Sequence, residues 1–351
     1  MQIIVELADH PLLDDGRLQQ YATASEFLDS AAAQSAEAKI ASAQKAVTRA
    51  MNASGMDITV ERQYSAVMNG LSVEANYGDL QTIQNLKGVK DAFVAETHEL
   101  VKPVDNQPLL SGSVPSIGAD VAQQTGYTGK GTAVAILDTG LDINHVAFQG
   151  TVNSPKYDKG DITDILNTKK LTVGKLNADS LYQNQKVPYA FDYADEDTNV
   201  YPTQSHGTHV AGIVGANSGG TVEGVAPDAQ LLIMKVFGDA SNGASDVDIL
   251  AALDDSVKLG ADAINMSLGS DCGFSEAACK SMRAVYQRVA DAGINLMVAA
   301  GNSYSSTKDN NFGNDLPLNT NPDNSMVASP STYAAAVSVA SMNNAQATGD
   351  Y

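Results

Sequence analysis

The segment Ser205-His206-Gly207-Thr208-His209-Val210-Ala211-Gly212 puts a histidine where a helix starts, with glycines that let that helix pack closely. Upstream, Ala135-Ile136-Leu137-Asp138-Thr139-Gly140 ends an apolar run on a carboxylate. Downstream, Ala299-Ala300-Gly301-Asn302 ends another on a side-chain amide. A base, a carboxylate to orient it and a donor for a developing oxyanion are the parts that nucleophilic acyl transfer requires. An Nδ1 proton bonded to Asp138 fixes the imidazole tautomer and leaves Nε2 of His206 free to take a proton from a hydroxyl. Taken singly, an Asp or Asn after a strand is most often a turn residue. Their joint occurrence with the histidine gives the chemical reading its weight.

Two other chemistries fit less well. His206 and His209 stand i, i+3 and could share a metal, but zinc needs a third ligand and usually a polarising glutamate, and no His-Glu-x-x-His pattern occurs. The expectation is therefore no catalytic metal and no required cofactor. Gly129-Lys130-Gly131 precedes its strand, whereas the glycines of a dinucleotide fingerprint follow one, so a nucleotide site is set aside. Asp192, Asp195 and Asp197 could hold calcium through carboxylate oxygens. Their spacing fits no complete calcium loop, and a solvated acidic loop is the stronger reading.

The elements that must carry these residues fall into two groups. The first hundred residues read as a small α+β unit. It has strands at Ile3 to Leu7, Ile58 to Tyr64, Leu71 to Ala75 and Val89 to Val94, an Ala-rich helix from about Leu18 to Met51 stopped by Ser54-Gly55, and a short helix from Asp79 to Leu86. The order β-α-β-β-α-β is the ferredoxin-like arrangement. Val101 to Ser116, with Pro103, Pro108 and Pro115, has the composition of an exposed connector. From Gly131 strands and helices alternate, which predicts a parallel sheet with helices on both faces. Asp138, Ser267 and Asn302 then fall at carboxyl ends of strands, where such sheets place their sites.

Composition narrows the partner. A net charge of -20 repels phosphate backbones and anionic membranes, so neither nucleic acid nor a membrane surface is expected, and a protein or peptide is. No apolar run reaches the length of about 18 residues that spans a bilayer, and Met1 to Leu7 lacks the pattern of a secretion signal. Cys272 and Cys279 could form one bridged loop or stand as two thiols.

The Asp138, His206 and Asn302 segments resemble those of the subtilisin family of serine proteases, and the run Val187 to Asp195 looks closest to its lactocepin-like cell-envelope branch. The resemblance implies a subtilisin-like α/β peptidase domain over residues 116–351, an inhibitory propeptide over 1–100, and a linker with a processing site at 101–115. It assigns Asp138 and His206 to a Ser-His-Asp mechanism and Asn302 to the oxyanion hole. It implies that Ser267-Leu268-Gly269 and Asn242-Gly243-Ala244 flank an extended peptide, and that Ala299, Ala300 and Gly301 border the pocket before the cut bond. The propeptide should occupy that cleft, the protein should be secreted or displayed at the cell surface, and calcium could be a structural ligand.

The family's nucleophile sits in a Gly-Thr-Ser-Met-Ala type segment, and no such string exists among the 351 residues. The Gly-x-Ser-x-Gly elbow is missing as well. Ser303, beside the expected oxyanion donor, and Ser325, in a polar loop, are poor substitutes. The reading is a serine endopeptidase whose 351-residue piece lacks the serine and is catalytically silent, with its connector uncut. The alternative is a non-catalytic peptide-binding pseudoprotease.

Overall fold

The structure is a computed structural model and describes residues 1–100, 110–174, 176–219, 222–241, 243–270, 280–302 and 327–341. The first unit contains β1 (Gln2–Leu7), α1 (Ala24–Leu28), α2 (Ala31–Ala53), β2 (Thr59–Tyr64), β3 (Gly70–Glu74), α3 (Leu80–Gln84) and β4 (Val89–Val94). Its strands form an antiparallel sheet in the order β2-β3-β1-β4. The Ala-rich helix expected from about Leu18 to Met51, whole or broken, is broken into α1 and α2. Ser30 accepts from the Ala33 amide, and this new N-cap starts α2 afresh after the Asp29 turn.

The first unit ends in a strand that the sequence pattern did not indicate, β5 (Thr97–Leu100). The expected connector contains α4 (Leu110–Ser116), and α5 (Ala119–Gln124) follows it into the second unit.

That second unit contains β6 (Ala133–Asp138), α6 (Lys159–Thr168), α7 (Ala178–Leu181), β7 (Tyr189–Asp192), α8 (His206–Gly215), β8 (Gln230–Lys235) and β9 (Gly243–Ser245). After these come α9 (Asp246–Leu259), β10 (Ala263–Met266), β11 (Leu268–Gly269), α10 (Lys280–Asp291), β12 (Asn295–Ala299) and β13 (Val337–Val339). Six strands make one parallel sheet in the order β13-β12-β10-β6-β8-β7. Alternate residues of β6 and β8 serve opposite cores. Ala135, Leu137, Leu232 and Met234 pack into the cluster that contains α9 and α10, while Ile136, Leu231 and Ile233 join Ala211 of α8. A strand covered on both faces must be apolar along its covered length, as Ala133 to Leu137 and Leu231 to Met234 are.

The chain builds the β7-β8 side of β6 first and then crosses to β10, β12 and β13. The strand order therefore reverses beside β6, where open sheets leave a crevice at the carboxyl edge. Leu137, Met266 and Val298 are in register across β6, β10 and β12, so Asp138, Ser267 and Ala299 are the next residues out on one edge.

Candidate active site

Asp138 ends β6 and is 1% exposed. Its Oδ1 accepts from the Thr139 amide at 2.7 Å and from Nδ1 of His206 at 2.8 Å. His206 is the first residue of α8, so its ring projects from the helix start toward the edge where β6 ends. Thr139 ties the two elements together: its hydroxyl donates to the Gln204 carbonyl and accepts from the Gly207 amide, satisfying one of the helix's leading N–H groups. The carboxylate thus fixes the imidazole with Nε2 directed away from it, the orientation a general base needs.

Close approach is the condition for that bond. A Cβ built on Gly207 would lie 2.3 Å from the Gly140 carbonyl oxygen and 3.1 Å from Asp138 Oδ1. Gly140 has φ of +101°, and a Cβ there would lie 2.3 Å from the Val200 carbonyl oxygen. Gly207→Ala is accordingly expected to destabilise by about 1–3 kcal/mol, because the contacts are with backbone that cannot swing aside. It should also weaken the low-field Nδ1 proton resonance of His206. An unchanged resonance and melting point would show that α8 can shift at no cost.

Asn302 follows β12 and Gly301, whose φ is +94°. Ala300 donates to Val339 and accepts from Ala328, so the segment Ala299 to Gly301 is held between two neighbours at the rim. With β10 lying between β6 and β12, strand spacing puts this segment about 10 Å across the edge from Asp138.

A second, three-stranded sheet sits beside this edge. β5 lies between β11 and β9 and is antiparallel to both: Leu268 pairs with Leu100, Gly269 and Gly243 with Glu99, and Ala244 with His98. A Cβ on Gly243 would come within 2.4 Å of Thr97 Cγ2, so glycine is what lets β5 approach. Asn242, expected beside Gly243, lies outside the described residues, as do Ser303, Ser325, Cys272 and Cys279.

Several residues at this site carried no readable signal in the sequence. His98 is 4% exposed, with Nε2 at 2.8 Å from Asp246 Oδ1 and Nδ1 at 3.1 Å from Ser270 Oγ. The Glu96 amide donates to Asp246 Oδ2 at 3.0 Å, and the Asp246 amide donates back to the Glu96 carbonyl. A buried histidine in Thr97-His98-Glu99-Leu100 becomes legible only once its two neighbouring strands are known.

The acidic loop is organised differently from the expected calcium set. Asp192, Asp195 and Asp239 converge, while Asp197 turns to the Asn199 amide. In their midst lies Lys235 Nζ, 2.5 Å from Asp192, 2.6 Å from Asp239 and 3.6 Å from Asp195. Burial alone would lower the Lys235 pKa, but its bonds to Asp192 and Asp239 prevail and raise it above 10.5. This cluster already holds its cation, and these residues do not fit calcium while Lys235 is present.

Beside α8 a cavity of about 990 Å³ is lined by Ser205, His209, Ile213, His145, Phe148 and Tyr201. His209 is exposed and lines it.

The profile described as "Subtilase family" matches residues 129–351. The PIII-type proteinase of Lactococcus lactis subsp. cremoris (strain SK11) is 32% identical over 355 residues, covering 98% of this chain and 17% of that protein. The minor extracellular protease Vpr of Bacillus subtilis (strain 168) is 33% identical over 220 residues, 60% of this chain and 24% of its own length. The C5a peptidase of Streptococcus pyogenes serotype M3 is 32% identical over 231 residues, 62% of this chain and 18% of its own. Among solved structures, fervidolysin from Fervidobacterium pennivorans superposes on 86% of this chain and 40% of its own, at 20% identity and a TM-score of 0.49. This chain spans under a quarter of the length of these curated relatives. The profile match over most of the sequence, together with a paired Asp138 and His206 at the edge of a parallel sheet, means that the chain belongs to the subtilase family of serine peptidases.

Proposed function

We propose that this chain contributes the base half of a serine endopeptidase that hydrolyses peptide bonds of proteins. The observation that carries the reading is the 2.8 Å bond between His206 Nδ1 and Asp138 Oδ1 at the carboxyl edge of β6. In this reading His206 Nε2 removes the proton of a serine hydroxyl as the oxygen attacks the peptide carbonyl, and later gives it to the leaving amine. Asp138 holds the tautomer and stabilises the imidazolium. Asn302 donates to the oxyanion, a contribution of about 2.7–4 kcal/mol in a site of this type.

Residues 1–100 act as an inhibitory propeptide whose last strand lies in the cleft as a substrate would, between Gly243-Ala244 and Leu268-Gly269. The pairing of β5 on both sides supports this, since recognition by strand addition satisfies the backbone of an extended peptide from each flank. Ser267 and Ala299 to Gly301 then border the pocket preceding the cut bond. Secretion or display at the cell surface is supported by the relative named an extracellular protease. Among the described residues, no helix is long and apolar enough to cross a membrane.

The nucleophile is the missing partner, since no Gly-Thr-Ser segment occurs in the sequence. The 351-residue chain is therefore expected to leave casein intact and to take no label from a fluorophosphonate probe. Turnover or labelling, with the modified serine found by peptide mapping, would overturn this assignment.

A further inference from the structure

We propose that Asp246 is a specificity-determining residue, and that the buried pocket now filled by the His98 side chain selects a basic side chain in the peptides this cleft receives. The proposal rests on the reading of β5 as a strand in the substrate's place.

Three observations carry it. First, the pocket is polar at its floor. The Asp246 side chain is 7% exposed, the His98 ring is 5% exposed, and the two meet at 2.8 Å, while Ser270 Oγ meets the other ring nitrogen. A carboxylate this buried needs a partner that brings both a donor and a positive charge.

Second, Asp246 faces the strand rather than the body of the protein. One oxygen takes the His98 ring, the other takes the Glu96 amide, and its own amide bonds the Glu96 carbonyl. Departure of 96–98 would strand the carboxylate. It stands in the first turn of α9, at the positive end of the helix dipole.

Third, the flanking groups add no competing cation. Among the described residues, the groups that face the ring are Asp246 at the start of α9, Ser270 after β11, and Glu96 on its own segment, and both ionisable ones are acids. An apolar side chain at this position would leave Asp246 without its donor, and an acidic one would add repulsion. Arginine or lysine would reproduce both the charge and the donor.

Charge-assisted hydrogen bonds of this type correspond to about a 10- to 100-fold preference. The test uses the full chain and peptides with the sequence of residues 94–100, acetylated, with His, Arg, Leu or Glu at the place of residue 98. His98→Glu should loosen β5, raising hydrogen exchange of the 96–100 amides at least about 10-fold, and so open the cleft to peptides. In that chain the His and Arg peptides are expected to bind at least about 10-fold tighter than the Leu peptide, with the Glu peptide weakest. In His98→Glu, Asp246→Asn, which keeps the shape and removes the charge, Arg and Leu peptides should bind equally. Equal binding of Arg and Leu peptides with Asp246 present, or a preference that survives Asp246→Asn, would overturn the selectivity while leaving the cleft reading intact. Failure of every peptide to bind would instead overturn the reading of β5 as a substrate mimic, and the proposal with it.

Discussion

Lys235→Met is expected to destabilise the second unit by about 3–5 kcal/mol, the range for removing one partner of a buried ion pair. Lys235 and Asp192 have side chains that are each 1% exposed, so the substitution leaves the Asp192 carboxyl, whose pKa burial already raises, dry and without its cation beside Asp195 and Asp239. Methionine matches the aliphatic stem, so lost packing contributes little and the measured change reports the charge. The effect should reach the candidate site. Lys235 is the register partner of Asp138, and its Cδ lies 3.1 Å from where a Gly140 Cβ would be.

The same substitution should create a calcium response. The three carboxylates offer oxygens within 4.8 Å of one another, short of a full shell of 6–8 ligands, so binding is expected to be weak, with a Kd of about 1 mM. At ten times that concentration the recovery would be about 1.4 kcal/mol. Urea unfolding of both chains with and without 10 mM calcium checks it. A variant as stable as the parent, or one indifferent to calcium, would show that Lys235 is not the cation that holds this cluster.

How much of this was legible in the sequence depends on how local each signal is. Asp138 and His206 were readable because each sits at the end of one element and needs only its own segment to be placed. β1 to β4 and the strands of the parallel sheet were readable from apolar runs, although β7 was noticed only as a motif. β5 was not, because Thr97-His98-Glu99-Leu100 is polar and becomes a strand only through partners about 145–170 residues away in sequence. α9 misleads in a different way. Its Asp246, Asp254 and Lys258 are of residue types that ordinarily face water, yet all are buried. The first unit supplies what water would have. Asp254 accepts from the amides of Ala66 and Val67, the Tyr64 hydroxyl donates to the Val247 carbonyl, and Arg62 reaches Asp248. Polar side chains that exist to receive another part of the chain cannot be told from surface ones until that part is placed. The Lys235 cluster was hidden for the same reason, with its acids drawn from two loops around a lysine in an apolar strand.

The folded chain should be more stable at pH 5 than at pH 8, and three groups on or beside α9 set the direction. Burial raises the Asp248 pKa from 3.8 to about 7; Arg62 opposes this at 3.5 Å but divides its charge with Glu196 at 3.2 Å and the Tyr193 carbonyl. Burial likewise raises Asp255 to about 6 against the pull of Lys258. For His98 burial is the largest influence and lowers the pKa, but the Asp246 bond and the charges of Asp246 and Glu96 together raise it above 6.5. A raised folded-state pKa means that the native state binds more protons than the unfolded one. Each contribution is therefore complete below the unfolded value, 3.8 for the acids and 6.5 for His98, and is lost as pH rises through the folded value. The losses of the two acids fall between about pH 4 and pH 7 and that of His98 lies above pH 6.5, and at 1.36 kcal/mol per unit the acids alone give a total on the order of several kcal/mol. Self-repulsion of a chain with net charge -20 acts in the same sense. Urea unfolding at a series of pH values, with hydrogen exchange of the 96–100 amides followed in parallel, should show both declining toward pH 8. Asp248→Asn separates the specific cause from general repulsion. A neutral amide there imitates the protonated acid, so the variant should match the parent at pH 5 and exceed it at pH 8. A parent profile flat from pH 5 to pH 8, or an Asp248→Asn chain less stable than the parent at pH 8, would mean that Arg62 and Asp248 form a true ion pair and that the acid stays charged in the folded protein.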